Sequence, residues 1–322
     1  MHNKRTTGII FFIFLLLLQI AIPINTFFKS ATSQNVSNIT TSNPLNNISS
    51  NLQDIKKVKV DDINIGYKIF GKGGPPLLLI MGYGGSMNNW DPVMIKKLSL
   101  NHTVIVFDNR GVGNTESGNK NFSISQFAKD TVGLINALHI NKTDVMGFSM
   151  GGFIAQEIAL NNPEKINKLI IYASNCGGRE STPPTPELSK LVQNTSKSMQ
   201  EILDGVTALI FPKEWSIQNP QVIETVKEGY KIPPVISMDT IQKQGIASSY
   251  WYNTGVCNQL EKITTPTLIV VGTKDILTPK ANSLIMTEKI PDSWLVQIQN
   301  GGHGVMYQYP DKFTSIVQAF LE

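Results

Sequence analysis

The stretch GFSMG, residues 147–151, closes the apolar run TDVMGF and opens the run GGFIAQEIAL. A short apolar run, a turn built on glycine and serine, and a helix-like pattern follow one another as strand, sharp turn and helix. In that setting Gly147 and Gly151 let backbone and helix approach without Cβ clashes, and the Ser149 hydroxyl is left exposed on a strained turn. The turn ends at a helix N-terminus, whose unpaired backbone N–H groups suit a developing oxyanion. The competing reading, an ordinary serine in a glycine-rich loop, does not explain the strand before it and the helix after it.

Working outward, further short apolar runs without alternation occur at PPLLLIM (75–81), TVIVF (103–107), KLIIYA (168–173), TPTLIVVG (265–272) and SWLVQI (293–298). Runs of this kind suit strands covered on both faces, as in a parallel sheet. Helical spacing falls between most of them: Ile124, Phe127, Ala128, Thr131, Leu134, Ile135 and Leu138 behind Ser123, then residues 153–160, 282–290 and 311–321, the last behind Pro310. Before the first of these runs, VKVDDINIGYKIF (58–70) alternates around a turn, which predicts an antiparallel hairpin. The pattern predicts an α/β fold: a mostly parallel, doubly wound sheet with an N-terminal antiparallel hairpin. Residues 179–250 break the rhythm, with PPTP at 183–186, IPP at 232–234, helix-like stretches at 186–204 and 219–230, and no convincing strand. They are expected to form an inserted helical lid between two parts of one core, residues 54–178 and 251–322.

In an open parallel sheet, ligands sit outside the carboxyl ends of the strands, which sorts the remaining polar residues. A serine hydroxyl needs a general base. Of the four histidines, His2 lies in the leader, and His102 and His139 precede strands, at the wrong end of the sheet. His303, in GGHG after the strand at 293–298, reaches the same end as Ser149. Asp275, in VVGTKD, closes its own strand there and completes the order Ser, Asp, His. Asp108 in VFDNRG is the rival carboxylate, but a turn-stabilising role is its ordinary explanation. The oxyanion hole is expected from the N–H groups of Met150 and of Tyr83 in MGYGGS. GVG at 111–113 lacks a third glycine, GKGGPP lacks the ending of a phosphate loop, and neither HExxH nor CxxC occurs. No cofactor and no metal is expected.

The stretches LLLIMGYGGSMNNWDP, VIVFDNRGVGNT, DVMGFSMGGFIAQEIAL, PTLIVVGTKDILTP and NGGHG resemble the α/β-hydrolase fold superfamily. The resemblance covers about residues 56–173 and 257–322, and the lid carries little of it. It implies a triad of Ser149, Asp275 and His303 with Tyr83 and Met150 at the oxyanion. Many members have His-Gly where this chain has Met81-Gly82, so a side chain that often buttresses the oxyanion loop is missing. Members acting on epoxides or haloalkanes carry Asp at the nucleophile position, which Ser149 argues against. The expected activity is hydrolysis of a small carboxylic ester or lactone through an acyl-enzyme. Relatives with the same triad imply, as an alternative, perhydrolase or cofactor-free haloperoxidase chemistry, and a non-catalytic binding module is the third possibility.

At the front, His2, Lys4 and Arg5 precede an unbroken apolar run at 9–18 that continues, with interruptions, to residue 28. Residues 1–29 therefore have the layout of a signal peptide or membrane anchor, and the Asn/Ser/Thr-rich residues 30–53 that of a flexible tether. The domain is expected outside the cell, exported or anchored by that segment. Sequons lie at Asn35, Asn38, Asn47, Asn101, Asn121, Asn141 and Asn194. The formal charge of +4 falls to +1 without residues 1–30, since Lys4, Arg5 and Lys29 go and 25 basic then face 24 acidic residues, so nucleic acid is not an expected partner. Cys176 and Cys257 either form one bridge in an oxidising compartment or stay as two part-buried thiols.

Overall fold

The computed structural model describes residues 55–185 and 199–322. The expected leader and tether, and the sequons at Asn35, Asn38, Asn47 and Asn194, lie outside the described residues. Eight strands, β1 (Lys56–Val60), β2 (Ile63–Phe70), β3 (Pro76–Ile80), β4 (Thr103–Phe107), β5 (Thr143–Phe148), β6 (Ile166–Tyr172), β7 (Thr267–Gly272) and β8 (Ser293–Ile298), form one sheet in the order β1-β2-β4-β3-β5-β6-β7-β8. The hairpin β1–β2 is antiparallel and joins β4 antiparallel, while β4, β3, β5, β6, β7 and β8 run parallel.

The apolar strands are buried on both faces, as their lack of alternation requires. Leu78 and Ile80 of β3, with Ile105 and Phe107 of β4, face one core together with α2 (Ile124–Ala137), α3 (Met150–Asn161) and α8 (Lys280–Lys289). Leu77 and Leu79, with Val104 and Val106, face the other core with α1 (Pro92–Leu98) and α10 (Pro310–Leu321). Helix α2 starts where Ser123 Oγ accepts from Gln126 N at 3.0 Å. One buried ion cluster pins the hairpin to this layer. The Arg110 guanidinium, 1% exposed, donates to both carboxylate oxygens of Asp130 at 2.7 and 2.8 Å and to both of Asp62 at the same distances. Those charge-assisted bonds hold the Asp62 carboxyl well below the usual carboxylate range.

The chain between β6 and β7 forms the helical insertion: α4 (Met199–Ile210), α5 (Lys213–Gln218), α6 (Pro220–Lys231) and α7 (Met238–Thr254). Helix α7 runs past residue 250 to Thr254 and ends on Gly255 at φ 47°. Cys176 and Cys257 are disulfide-bonded, with Cα atoms 4.9 Å apart, so the two ends of the insertion are tied at one point. Val256 N donates to the Cys176 carbonyl beside the bridge at 2.7 Å.

Asp91 caps α1, accepting from Met94 N at 2.7 Å, yet it is only 8% exposed, and burial pushes its carboxyl up to about 6 from an ordinary 3.8. Between those values the folded chain holds a proton that the unfolded chain has lost. Stability from this group is therefore full below about pH 4 and is lost as pH rises through 6. Asn caps as well as Asp but carries no charge. Asp91→Asn is expected to exceed the wild type by as much as about 3 kcal/mol at pH 8, with the gap closing by pH 4, in urea titrations at both.

Candidate active site

From residue 143 to 156 every residue is buried except Ser149, which is half-exposed at the end of β5. Its backbone sits at φ 54°, ψ −118°, a strained left-handed conformation for a residue with a Cβ. The neighbouring glycines are what make it possible. A Cβ on Gly147 would lie 2.3 Å from the Gly151 carbonyl oxygen, and one on Gly151 would lie 2.0 Å from that of Ile80. Ser149 N donates to Tyr172 O at 2.9 Å, and Ser174 Oγ donates to Ser149 O at 2.9 Å, so β6 braces the turn. The Ser149 side chain makes no capping bond to its own helix. Its hydroxyl is not committed to holding up α3.

His303 and Asp275 meet. Nδ1 of the ring lies 2.9 Å from Asp275 Oδ2, and both side chains are nearly inaccessible. Asp275 Oδ1 also accepts from Leu277 N and Thr278 N, each at 2.9 Å, and Oδ2 accepts from Thr278 Oγ1 at 2.7 Å. With its oxygens turned to donors on every side, the carboxylate acts as acceptor towards the ring too. That assigns the proton to Nδ1 and leaves Nε2 as a base. The ring packs on Phe148, the residue before Ser149, at 5.0 Å between centroids. Tyr172, whose carbonyl holds Ser149 N, donates its hydroxyl to His303 O at 2.7 Å. The sheet thus brings the histidine loop and the serine turn against the same two aromatic residues. Among the described residues no hydrogen bond runs from Ser149 Oγ to the ring. Bonds of this type often tighten only when substrate is bound.

The approach of the histidine loop also depends on a glycine. A Cβ on Gly272, at the end of β7, would lie 2.3 Å from the carbonyl oxygens of Gly301 and Gly302. Thr278 was not singled out in the sequence. The signal was present as Asp followed three residues on by Thr, the spacing of an Asp side chain turned back on its own loop.

Met150 is the first residue of α3, so its N–H has no acceptor within the helix. The loop carrying Tyr83 runs against the serine, since a Cβ on Gly82 would lie 3.0 Å from both Ser149 Cβ and Phe148 O. The buttress that Met81 cannot supply comes from elsewhere. Asn109 Nδ2 donates to Met81 O at 3.0 Å, Asp108 Oδ1 accepts from Met87 N at 2.7 Å, and Gln244 Oε1 of α7 accepts from Gly84 N at 3.0 Å. Asp108 also accepts from Asn114 N at 2.8 Å, which gives this rival carboxylate a structural role. Burial pushes its carboxyl up. His102, buried near the start of β4, and His139, after α2, stand apart from the serine turn. Among the described residues no cluster of three or more His, Cys, Asp or Glu side chains has the arrangement of a metal site.

These elements bring together a strained serine turn, a buried His–Asp pair and a glycine-rich loop at the carboxyl rim of a parallel sheet. A family model described as alpha/beta hydrolase fold matches residues 75–216, and one described as TAP-like protein matches residues 239–322. The chain belongs to the α/β-hydrolase superfamily, and it is a hydrolase of that type. Among its curated relatives is a protein of Azorhizobium caulinodans named "Putative carbamate hydrolase RutD", 26% identical over 259 residues, with 80% of this chain and 95% of the relative covered. Among solved structures, an alpha/beta hydrolase fold protein from Chitinophaga pinensis superposes with a TM-score of 0.71 at 26% identity, over 84% of this chain and 97% of that one. Est816, described as an N-acyl homoserine lactone degrading enzyme, shares the fold with a TM-score of 0.68 at 24% identity, over 82% of this chain and the whole of that one.

Proposed function

We propose that the protein is an exported serine hydrolase that cleaves small carboxylic esters or lactones through an acyl-enzyme. The observation that carries this reading is the strained, half-exposed Ser149 beside the buried His303–Asp275 pair. Ser149 Oγ attacks the acyl carbon while His303 Nε2 takes its proton. The Met150 and Tyr83 N–H groups receive the charge that builds on the carbonyl oxygen. The imidazolium, held by Asp275, returns the proton to the leaving oxygen. Water then enters by the same route, giving its proton to His303, and releases the acid and the free serine. No step needs a cofactor.

Esters and lactones are favoured because no charged cluster in the sequence announces an acidic ligand. The relative's name points to carbamates, which the same residues would attack at the same carbon. A carbamate nitrogen donates electrons to that carbon and makes it a poorer electrophile. Export is supported by the basic and then apolar start of the chain, and by a disulfide of the kind that persists in oxidising compartments. Among the described residues no helix is long and apolar enough to cross a membrane. The test is labelling by a fluorophosphonate, followed by an acyl-length series of p-nitrophenyl esters beside the matching carbamates. Labelling of Ser149 with faster ester turnover supports the proposal. Faster carbamate turnover replaces the substrate class, and a folded protein that does not label is a binding module instead.

A further inference from the structure

Helix α7 crosses the carboxyl rim of the sheet in the same order as the strands below it. Thr240 Oγ1 donates to Gly111 O, in the loop after β4, at 2.8 Å. One turn later Gln244 accepts from Gly84 N, in the loop after β3. Near its end Trp251 stacks on Phe153 of α3, the helix that follows β5, at 5.3 Å, and its carbonyl oxygen would lie 2.4 Å from a Cβ on Gly177, after β6. Ser248 lies between Gln244 and Trp251 on the same helix face. In the sheet order β4-β3-β5-β6, the loops after β3 and β6 that Gln244 and Trp251 meet flank the exit of β5, where Ser149 stands.

This face is buried and polar. Gln244 is 0% exposed, Ser248 1% and Trp251 3%, yet among the described residues Gln244 Nε2, Ser248 Oγ and Trp251 Nε1 have no hydrogen-bond partner. The orientation of the Gln244 amide is fixed by the network, because only its oxygen can accept from Gly84 N; Nε2 must point away from that loop. Buried donors in folded proteins are normally paired, and three unpaired ones in a row along one helix face call for a partner. All three are uncharged, and the nearest lysine on the helix, Lys243, is paired with Asp239 at 2.7 Å. Their natural complement is a neutral acceptor oxygen, not a carboxylate, a phosphate or a plain alkyl chain.

We infer that the inner face of α7, through Gln244, Ser248 and Trp251, is a polar subsite that selects esters or lactones carrying a second, neutral acceptor oxygen such as a keto, amide, ether or hydroxyl oxygen. The inference rests on the hydrolase reading above and adds the class of substrate. A site that offers buried hydrogen bonds discriminates against the analogue that leaves them unmade.

The experiment compares p-nitrophenyl esters of matched acyl length, one all-carbon and the others with a keto or ether oxygen at successive positions. In the wild type at least one oxygen-bearing ester is expected to exceed its alkyl match about tenfold or more in kcat/KM. In Ser248→Ala and Gln244→Met that ratio is expected to fall towards one, chiefly through KM. Absence of any preference in the wild type overturns the inference, and so does a ratio that survives in the variants, since water then satisfies the donors. An equal loss on both esters in Ser248→Ala also overturns it, as that is the mark of a merely structural role; Gln244→Met also removes the bond to Gly84 N, so there only the ratio between the esters is read. If Gln244→Met does not fold, the smaller change Ser248→Ala and the wild-type series still decide. Calorimetric binding of the matching non-hydrolysable amides tests the row of donors without catalysis. Absence of a preference in the wild type there refutes this inference, whereas failure of Ser149 to label refutes the hydrolase reading instead.

Discussion

Ser149→Ala is expected to lower kcat for ester hydrolysis by roughly 10⁴-fold or more and to abolish fluorophosphonate labelling, while leaving the fold intact. The two halves of this expectation have separate causes. Loss of activity follows because His303 and Asp275 have no other hydroxyl to activate at the end of β5. Survival of the fold follows because Ser149 uses its backbone, not its side chain, for support: Ser149 N on Tyr172 and Ser149 O under Ser174. Alanine at φ 54° carries the same backbone strain as serine, so the folded state gains and loses little. Melting curves of the two proteins should coincide within about 1 kcal/mol. Residual labelling in the alanine variant would remove Ser149 from the mechanism. Asp275→Asn should show the complementary pattern, with kcat down by about 10⁴-fold because the ring loses the acceptor that fixes its tautomer.

The second large effect is on folding. Gly151→Ala is expected to destabilise the protein by at least about 3 kcal/mol, or to prevent soluble expression. The added methyl carbon would sit 2.0 Å from the Ile80 carbonyl oxygen and 2.7 Å from its carbon. Both belong to β3 at the centre of the sheet, and a Cβ has no rotamer with which to escape. Gly205→Ala is the control. That glycine lies inside α4 with nothing within 4 Å of its would-be Cβ, and alanine there should add about 0.5–1 kcal/mol. Urea denaturation of both variants separates the tight turn from general intolerance of substitution. Equal effects at the two positions would remove the steric account of the serine turn.

The parallel strands were legible because burial on both faces leaves an unbroken apolar run, and β3, β4, β5 and β8 fall within a residue or two of those runs. Asp275 and His303 could be assigned to one rim because each follows a strand, and topology then does the rest. The lid was legible only as an interruption. Its expected helix at 219–230 corresponds to α6 (Pro220–Lys231), and the expected helix at 186–204 begins in residues that are not described and gives way to α4 (Met199–Ile210). Helix α7 left almost no trace in the sequence. Its buried face is Thr240, Gln244, Ser248 and Trp251, polar or small for most of its length, so no apolar stripe marks it. The bond from Gly84 to Gln244 spans 160 residues, and no local pattern records a contact of that range. Met81 illustrates the same limit, for the missing histidine could be seen, but the replacement support from Asn109, Asp108 and Gln244 could not.

The bridge between Cys176 and Cys257 gathers the entry and exit of the insertion into a neck one bridge wide, where Gly177 and Gly255 lie side by side. The described helices beyond that neck form a cartridge that meets the site at two backbone donors, Gly84 N held by Gln244 and Gly304 N held by the Ile210 carbonyl. Chimaeras joined at the two cysteines should inherit the appetite of the cartridge's donor, and should keep the recipient's turnover only where the new cartridge again offers acceptors to Gly84 N and Gly304 N.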